Sequence, residues 1–456
     1  MRRWGPSAHQ PNRENSVFKA PLLSVAIAGM LATACQTHAA ISFTDVQAWL
    51  SENAQAPVDG LVPGNYGQDR LTELTAYIPP GYIDKFDFPE LDFELIENRP
   101  YKPHKLYQEA TARHVDKGTI NDSGQLDGYV AGQPFSRQAI EAASAEKAGY
   151  MVAWNQIHRW QYYGYRMRKT EMIYVVPTKA NVAGQLLEGM VGGGHVDRHV
   201  LMTYHRVYLS KVAVLPDQDY RMDVPGSDEL FYKEHMEFLS PFDVAGTKFV
   251  IERPLEHARG DQINSYLASE RRVRRLSAKE RSDSFMGTNY TLDDFEGFSG
   301  LITDNTWRMM GRKVVPTVVN SKNVLARFQG PTSSIPIDRW QLRASYVVEA
   351  IPKWDGHPYS RRLLFFDEES FNIGMSLIFD RNDELFKVYL VVHESSDNPS
   401  EPDPALSVTR WRSSIAINMQ DGTGSIARAM VPTEFPNMKP SQVKQIFSVS
   451  NLNSGR

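Results

Sequence analysis

Between Tyr162 and Asn418 the chain contains a succession of short runs that are rich in apolar, aromatic and β-branched residues and are separated by polar segments. Runs of this length and composition predict β-strands. The predicted strands are 162–167, 172–177, 185–191, 200–209, 247–253, 341–350, 361–366, 371–379, 384–392 and 413–418. So many strands in one region predict a mainly β (α+β) fold built on one large antiparallel sheet, strongly curved or partly closed.

Polar turn sequences support this prediction. Asp367–Ser370 and Asp380–Asp383 separate three consecutive predicted strands and favour a meander. Gly192–Gly194 is interpreted as a turn, because it lacks the spacing of a phosphate-binding loop. The acidic, proline-rich segment 394–405 is predicted to be an exposed loop.

Helices are predicted in three other places. Residues 41–53 form a predicted helix in which Thr44 opens a capping box. Ser136 is the expected N-cap of a second helix reaching Ile157. A third helix is predicted at 441–447.

The remaining N-terminal region, 54–135, is rich in proline and has little periodicity. We expect it to form an irregular arm wrapped over the body of the protein. The predicted organisation is therefore a leader at 1–39, an N-terminal helix and arm at 40–135, and a β domain at 136–456, which forms one domain with the arm.

The first 39 residues have the pattern of a secretory signal peptide. Four basic residues precede an apolar run at 20–34, which is short for a transmembrane helix. Small residues offer cleavage at 34/35 or at 39/40. Cys35, the only cysteine, is a candidate for lipidation if the first site is used. Export with no cysteine in the body favours the periplasm of a Gram-negative cell, with outer-membrane association as a further candidate.

Charge narrows the functional classes. The 456-residue chain has a formal net charge of −4, and removing 1–39 takes away four basic groups and one acidic group. An acidic mature protein gives no overall reason to expect nucleic-acid binding.

No motif predicts catalysis, a cofactor or a metal. His195 and His199 would share a face of a strand but lie about 13 Å apart, too far to hold one ion. Gly297–Gly300 misses the spacing of a serine hydrolase motif. Adjacent carboxylates in turns do not place two groups across a cleft, as a glycosidase requires.

The strongest concentration of charge lies between Tyr266 and Gly311. Arginines at 271, 272, 274 and 275 are followed by Asp293 and Asp294. We favour a structural role, in which Arg271, Arg272, Arg274 and Arg275 pair with carboxylates such as Asp293, Asp294 or Asp367, so that replacing Arg272 or Arg274 with alanine lowers thermal stability. The alternative is a contact site for a lipid headgroup or an acidic partner.

The sequence also resembles a family of exported bacterial proteins, domain of unknown function 1329, related to the lipoprotein-sorting proteins LolA and LolB. The likeness covers nearly the whole mature chain, and the arginine block with its downstream Asp-Asp-Phe is its most specific part. The matching segments are 128–135, 241–247, 271–275, 293–295 with Trp307 and Gly311, Arg343 with 348–350, and 361–370.

This resemblance implies a half-open barrel of the LolA/LolB type, with helices packed on the concave side of the sheet. It also implies a non-catalytic carrier for a lipid or other hydrophobic molecule, working in envelope transport or outer-membrane biogenesis. The first alternative is an adaptor without a ligand that docks on an RND-type exporter or an outer-membrane protein. The more distant alternative is an envelope hydrolase.

Overall fold

Alternating side chains and short turns bring most of the strands into one sheet. The structure is a computed structural model that describes residues 40–178, 186–268, 270–395 and 406–453. The strands are β1 Gly64–Tyr66, β2 Phe93–Leu95, β3 Thr119–Ile120, β4 Leu126–Asp127, β5 Gly164–Val176, β6 His195–Tyr208, β7 Leu230–Ser240, β8 Lys248–Pro254, β9 Gln262–Leu267, β10 Arg272–Leu276, β11 Asn305–Thr317, β12 Phe328–Gln329, β13 Ile335–Pro336, β14 Arg339–Pro352, β15 Arg361–Asp367, β16 Ile373–Phe379, β17 Leu385–Ser395, β18 Thr409–Asn418 and β19 Gly424–Ala429.

The main sheet contains fifteen of these described strands. Its order is β1-β2-β14-β15-β16-β17-β18-β19-β5-β6-β7-β8-β9-β10, and β11 pairs with β14 as well. All pairings in it are antiparallel except the short contact between β14 and β2. The described pairings leave the sheet open between β11 and β10. The prediction of a large, unclosed antiparallel sheet is therefore confirmed.

Helices are few and short. They are α1 Phe43–Glu52, α2 Leu71–Leu74, α3 Lys105–His114, α4 Arg137–Ala142, α5 Ala145–Ile157 and α6 Pro440–Ile446. Within the part of the chain that the structure describes, no helix has the length and apolar character needed to cross a membrane.

Three sequence predictions need correction. The single helix expected at 136–157 is broken, because Ala143 is extended and Ser144 begins a new helix by accepting a hydrogen bond from the backbone of Lys147. The two strands expected at 162–167 and 172–177 are one continuous strand, β5. The described residues of the predicted strand 185–191 form only an isolated bridge, at Met190.

The sheet buries both of its faces. On β15, Leu363 and Phe365 face the N-terminal region, whose aromatic residues between Phe43 and Phe93 complete one core. Leu364 and Phe366 point the other way, into a core with α5. Alternate positions of one strand thus serve two cores, which explains why these central strands are nearly continuously apolar.

Helix α5 lies very close to the sheet. A Cβ placed on Gly149 would lie 2.6 Å from the backbone nitrogen of Arg308 in β11. Only glycine allows this approach, although glycine weakens a helix interior. This close contact fixes α5 against one end of the sheet face that carries Leu364 and Phe366, which we call the inner face. Another segment covers the rest of the inner face.

Candidate functional site

That other segment is residues 277–304, which we call the plug. It contains three short helical turns, at Ala278–Ser282, Leu292–Gly297 and Ile302–Asp304. The Thr291 hydroxyl accepts a hydrogen bond from the backbone of Asp294 and so caps the second turn. Ser376 of β16 donates a hydrogen bond to the carbonyl oxygen of Gly297, which ties the plug to the sheet.

Asp294 at the centre of the plug is fully buried and ion-paired. Its carboxylate lies 3.2 Å from both Nε and Nη2 of Arg362 on β15. It also accepts a hydrogen bond of 2.7 Å from the hydroxyl of Tyr359, which in turn accepts one from Lys387. The Asp294 carboxylate therefore binds Arg362 and Tyr359 directly, and it is linked to Lys387 through the Tyr359 hydroxyl.

Asp293 belongs to a second buried network. Arg281 donates to Asp293 at 2.8 Å and to Asp261 at 2.6 Å. Arg253 of β8 also binds Asp261 and donates to the carbonyl oxygen of Ser299. This network links both ends of the plug to strands β8 and β9.

Glu296 anchors a third network. Its carboxylate accepts hydrogen bonds from Arg159 at 2.8 Å, from Arg206 at 3.2 Å and from the Tyr165 hydroxyl at 2.7 Å. Arg206 binds Glu234 as well. Arg159 follows the end of α5, and Arg206 lies on β6. Glu296 therefore joins the plug to two separate parts of the fold.

The pKa values of two of these carboxylates, Asp293 and Glu296, are lowered by neighbouring groups. Burial by itself raises the pKa of Asp293, but the His357 ring, whose Nε2 lies 3.9 Å from the carboxylate, and the charges of Arg281 and Arg362 lower it well below its usual value. Burial likewise opposes ionisation of Glu296, yet Arg159 and Arg206 lower its pKa to about 2. The plug is therefore held by charge across the ordinary pH range.

Between the plug and the sheet lies an apolar cavity, which we call the hollow. Two charged side chains, Glu234 and Arg281, are part of its lining. The plug contributes Phe285, Tyr290 and Phe295 to it. The strands contribute Met167, Met172, Met202, Tyr204, Met236, Ile251, Tyr389, Trp411 and Ala427.

The hollow shows that the sheet curves around it. Its lining comes from seven neighbouring strands, β17 through β8 in sheet order. In a flat sheet these strands would span about 29 Å. Side chains from all seven meet around a free volume of about 60 Å³, so the strands must bend toward the plug. This volume holds a few water molecules, and a longer apolar molecule needs the lining to move.

The four arginines singled out in the sequence lie elsewhere. They are exposed at β10, which ends the described sheet order. Arg272 and Arg274 both pair with Glu270 at 2.7 Å. The interpretation favoured from the sequence pairs Asp293 and Asp294 with this block, whereas in the structure they pair with Arg281 and Arg362. The reason is that the plug folds away from β10 and back over the inner face of the sheet.

Sequence reasoning missed Glu296 and the arginines that meet the plug. Arg206 and Arg362 lie on strands with mostly apolar neighbours, where a charged side chain needs a buried partner. A charged residue among apolar neighbours on a predicted strand was therefore the sequence feature that could have identified these arginines.

Other sequence candidates lie outside the site. His199 on β6 contacts Glu171 at 3.0 Å. Among the described residues, no group of three His, Cys, Asp or Glu is arranged to hold a metal ion. Cys35, the leader 1–39 and most of the predicted loop 394–405 lie outside the described residues.

These features define a class of protein with an open antiparallel sheet whose inner face is covered by an ion-paired plug above an apolar hollow. The chain belongs to the family described as protein of unknown function DUF1329, whose model matches residues 97–453. The resemblance stated from the sequence is confirmed. No curated protein matches the chain.

Three solved structures are similar to this one. A DUF1329 family protein from Desulfovibrio piger is 14% identical, with a TM-score of 0.45, over 68% of this chain and 100% of its own. A domain from Vibrio parahaemolyticus, assigned to the outer membrane lipoprotein-sorting proteins, is 16% identical, with a TM-score of 0.43, over 66% of this chain and 97% of its own. A LolA superfamily protein from Nitrosomonas europaea is 12% identical, with a TM-score of 0.36, over the same shares of the two chains.

Proposed function

We propose that the protein is an exported, periplasmic carrier that binds a lipid or another hydrophobic molecule in the hollow without transforming it. The main observation that supports this proposal is the apolar hollow between the curved sheet and the plug. A pocket lined mainly by apolar and aromatic side chains, with a few polar groups at its margin, is typical of small-molecule binding. The periplasmic assignment rests on the leader pattern at 1–39.

Four methionines make the hollow adaptable. Met167, Met172, Met202 and Met236 come from three adjacent strands. Methionine has an unbranched, flexible side chain and suits surfaces that accept apolar molecules of differing shape. Rotation of these side chains is the smallest change that would enlarge the hollow. Each methylene group buried there contributes about 0.8 kcal/mol to binding.

Recovery of the native ligand tests this proposal directly. The protein is purified from the envelope of the cells that export it, without detergent exchange, and analysed by native mass spectrometry and by organic extraction. We expect an apolar molecule in stoichiometric amount. Recovery of ligand-free protein under these conditions contradicts the carrier function and favours an adaptor that binds other proteins.

A variant pair locates the ligand. Met202→Trp fills the hollow, whereas Met202→Leu nearly preserves its volume. We expect the tryptophan variant to bind a fluorescent long-chain fatty acid about tenfold or more weakly, and the leucine variant to bind it about as well as the original protein. Thermal melting of both variants checks that they remain folded. Equal binding by both folded variants would place the ligand outside the hollow.

A further inference from the structure

Two turns lie side by side at one end of the sheet. The first joins β7 to β8, and the second joins β9 to β10. Lys248 at the start of β8 pairs with Tyr266 near the end of β9. A Cβ placed on Gly246 would lie 3.6 Å from the Cβ of Ala268. We call residues 239–247, 267–268 and 270–276 the tip.

An aromatic side chain projects from the tip into solvent. Phe242 is 99% exposed, and Leu239, near the end of β7 just before this turn, is 45% exposed. The other large apolar side chains that are exposed in the described chain are Val58, Val62, Val191, Val324 and Trp354. Contact with water is unfavourable for such a ring, so its position is best explained by an apolar phase that it meets outside the molecule.

The tip is also locally basic in an acidic protein. It contains the four arginines 271, 272, 274 and 275 but only two acidic residues, Asp243 and Glu270. The side chains of Arg272 and Arg274 remain 62% and 44% exposed although both contact Glu270. A cationic segment therefore lies on the turn and strand next to the turn that carries the projecting ring.

We propose that the tip docks the protein on an anionic lipid surface. Phe242 and Leu239 enter the boundary between headgroups and acyl chains, where aromatic side chains are favoured. The arginines contact lipid phosphates, which match the planar guanidinium group. A lipid surface accounts for both features together, since it offers negative charge beside an apolar phase.

The tip also lies close to the hollow. Phe285, which lines the hollow, packs on Phe238 and Phe249 with ring centroids 5.8 Å apart in both pairs. Phe238 and Phe249 occupy the ends of β7 and β8 nearest the tip. Docking through the tip would bring the hollow toward the lipid. The docking proposal itself does not depend on the hollow holding a ligand.

A single fluorophore tests the docking. Cys35 is the only cysteine, so protein exported with Cys35→Ser and Phe242→Cys carries one thiol, which is labelled with an environment-sensitive dye. Val62→Cys, at an exposed apolar residue outside the tip, is the matched control. Vesicles of phosphatidylglycerol and phosphatidylcholine are compared with vesicles of phosphatidylcholine alone.

We expect a blue shift at position 242 with the anionic vesicles, a much smaller one at position 62, and loss of both at high salt. In vesicle sedimentation with unlabelled protein, Arg272→Gln combined with Arg274→Gln should lower partitioning by about tenfold or more, and Phe242→Ser should lower it as well. An unchanged dye spectrum on anionic vesicles would overturn the proposal. Equal spectral shifts at positions 242 and 62 would overturn it too. So would a dye at position 242 that responds to an acidic protein but not to anionic vesicles.

Discussion

Strand β10 and the plug both combine arginines with carboxylates, but in opposite environments. Arg272, Arg274 and Arg275 lie on β10 and Arg271 directly precedes it. All four are exposed, and two of them share Glu270. In the plug, Asp293, Asp294 and Glu296 are spaced along one turn, and each meets an arginine away from water. The difference teaches that a cluster in the sequence need not form a cluster of contacts in the fold.

Burial decides how much each set of contacts matters. A buried ion pair contributes little net stability when intact, because both groups lose their hydration, but losing one partner leaves an uncompensated charge. An exposed ion pair contributes little to stability, and losing one of its partners costs little, because water and salt screen its charges. We therefore infer that the plug's pairs determine where it sits, whereas the β10 arginines are free to contact other molecules.

The largest effect is expected from Asp294→Ala. Removing this carboxylate leaves Arg362, which is 1% exposed, without its ion-pair partner. We expect the free energy of unfolding to fall by about 3–5 kcal/mol, as measured by urea denaturation.

A double variant is the control for that prediction. Asp294→Ala combined with Arg362→Met removes both charges, and we expect it to recover much of the lost stability. If the double variant is no more stable than Asp294→Ala alone, packing around Asp294 and not the unpaired charge is responsible.

Much of the sheet could be predicted because its information is local. The strands β15, β16 and β17 follow from short apolar runs and from the two short polar turns between them. Strand β11 was missed because Arg308, Arg312 and Lys313 obscure its apolar pattern and a bulge at Gly311 shifts its register.

The site could be predicted only in part because its contacts are distant in sequence. Asp294 and Arg362 are 68 residues apart, and Glu296 and Arg159 are 137 apart. No local pattern gives the register that brings such groups together. The acidic pair itself was recognisable, but its partners depend on how the plug folds back over the sheet.

A second, somewhat smaller effect is expected from pH. The pKa of Glu296 is lowered from 4.5 to about 2 in the folded protein. Its ionisation therefore stabilises the fold above about pH 4.5, by about 3 kcal/mol, and this stabilisation is lost as the pH falls toward 2. We expect Glu296→Gln to be less stable than the original protein at neutral pH, with the difference shrinking in acid.

Urea denaturation at a series of pH values measures this change. Glu270→Gln, which alters an exposed carboxylate just before β10, is the matched control and should change the free energy of unfolding only slightly. A constant difference between Glu296→Gln and the original protein across the acid range would mean that charge does not hold Glu296 in place.

The smallest effect is expected at β10 itself. Arg272 and Arg274 have side chains 62% and 44% exposed and share one partner, Glu270. Replacing either with alanine should change the free energy of unfolding by less than about 0.5 kcal/mol, contrary to the stabilising role favoured from the sequence. Thermal melting and urea denaturation measure this, with Arg362→Ala as the buried comparison. A loss at Arg272 or Arg274 as large as that at Arg362 would restore the structural role and remove the contrast between β10 and the plug.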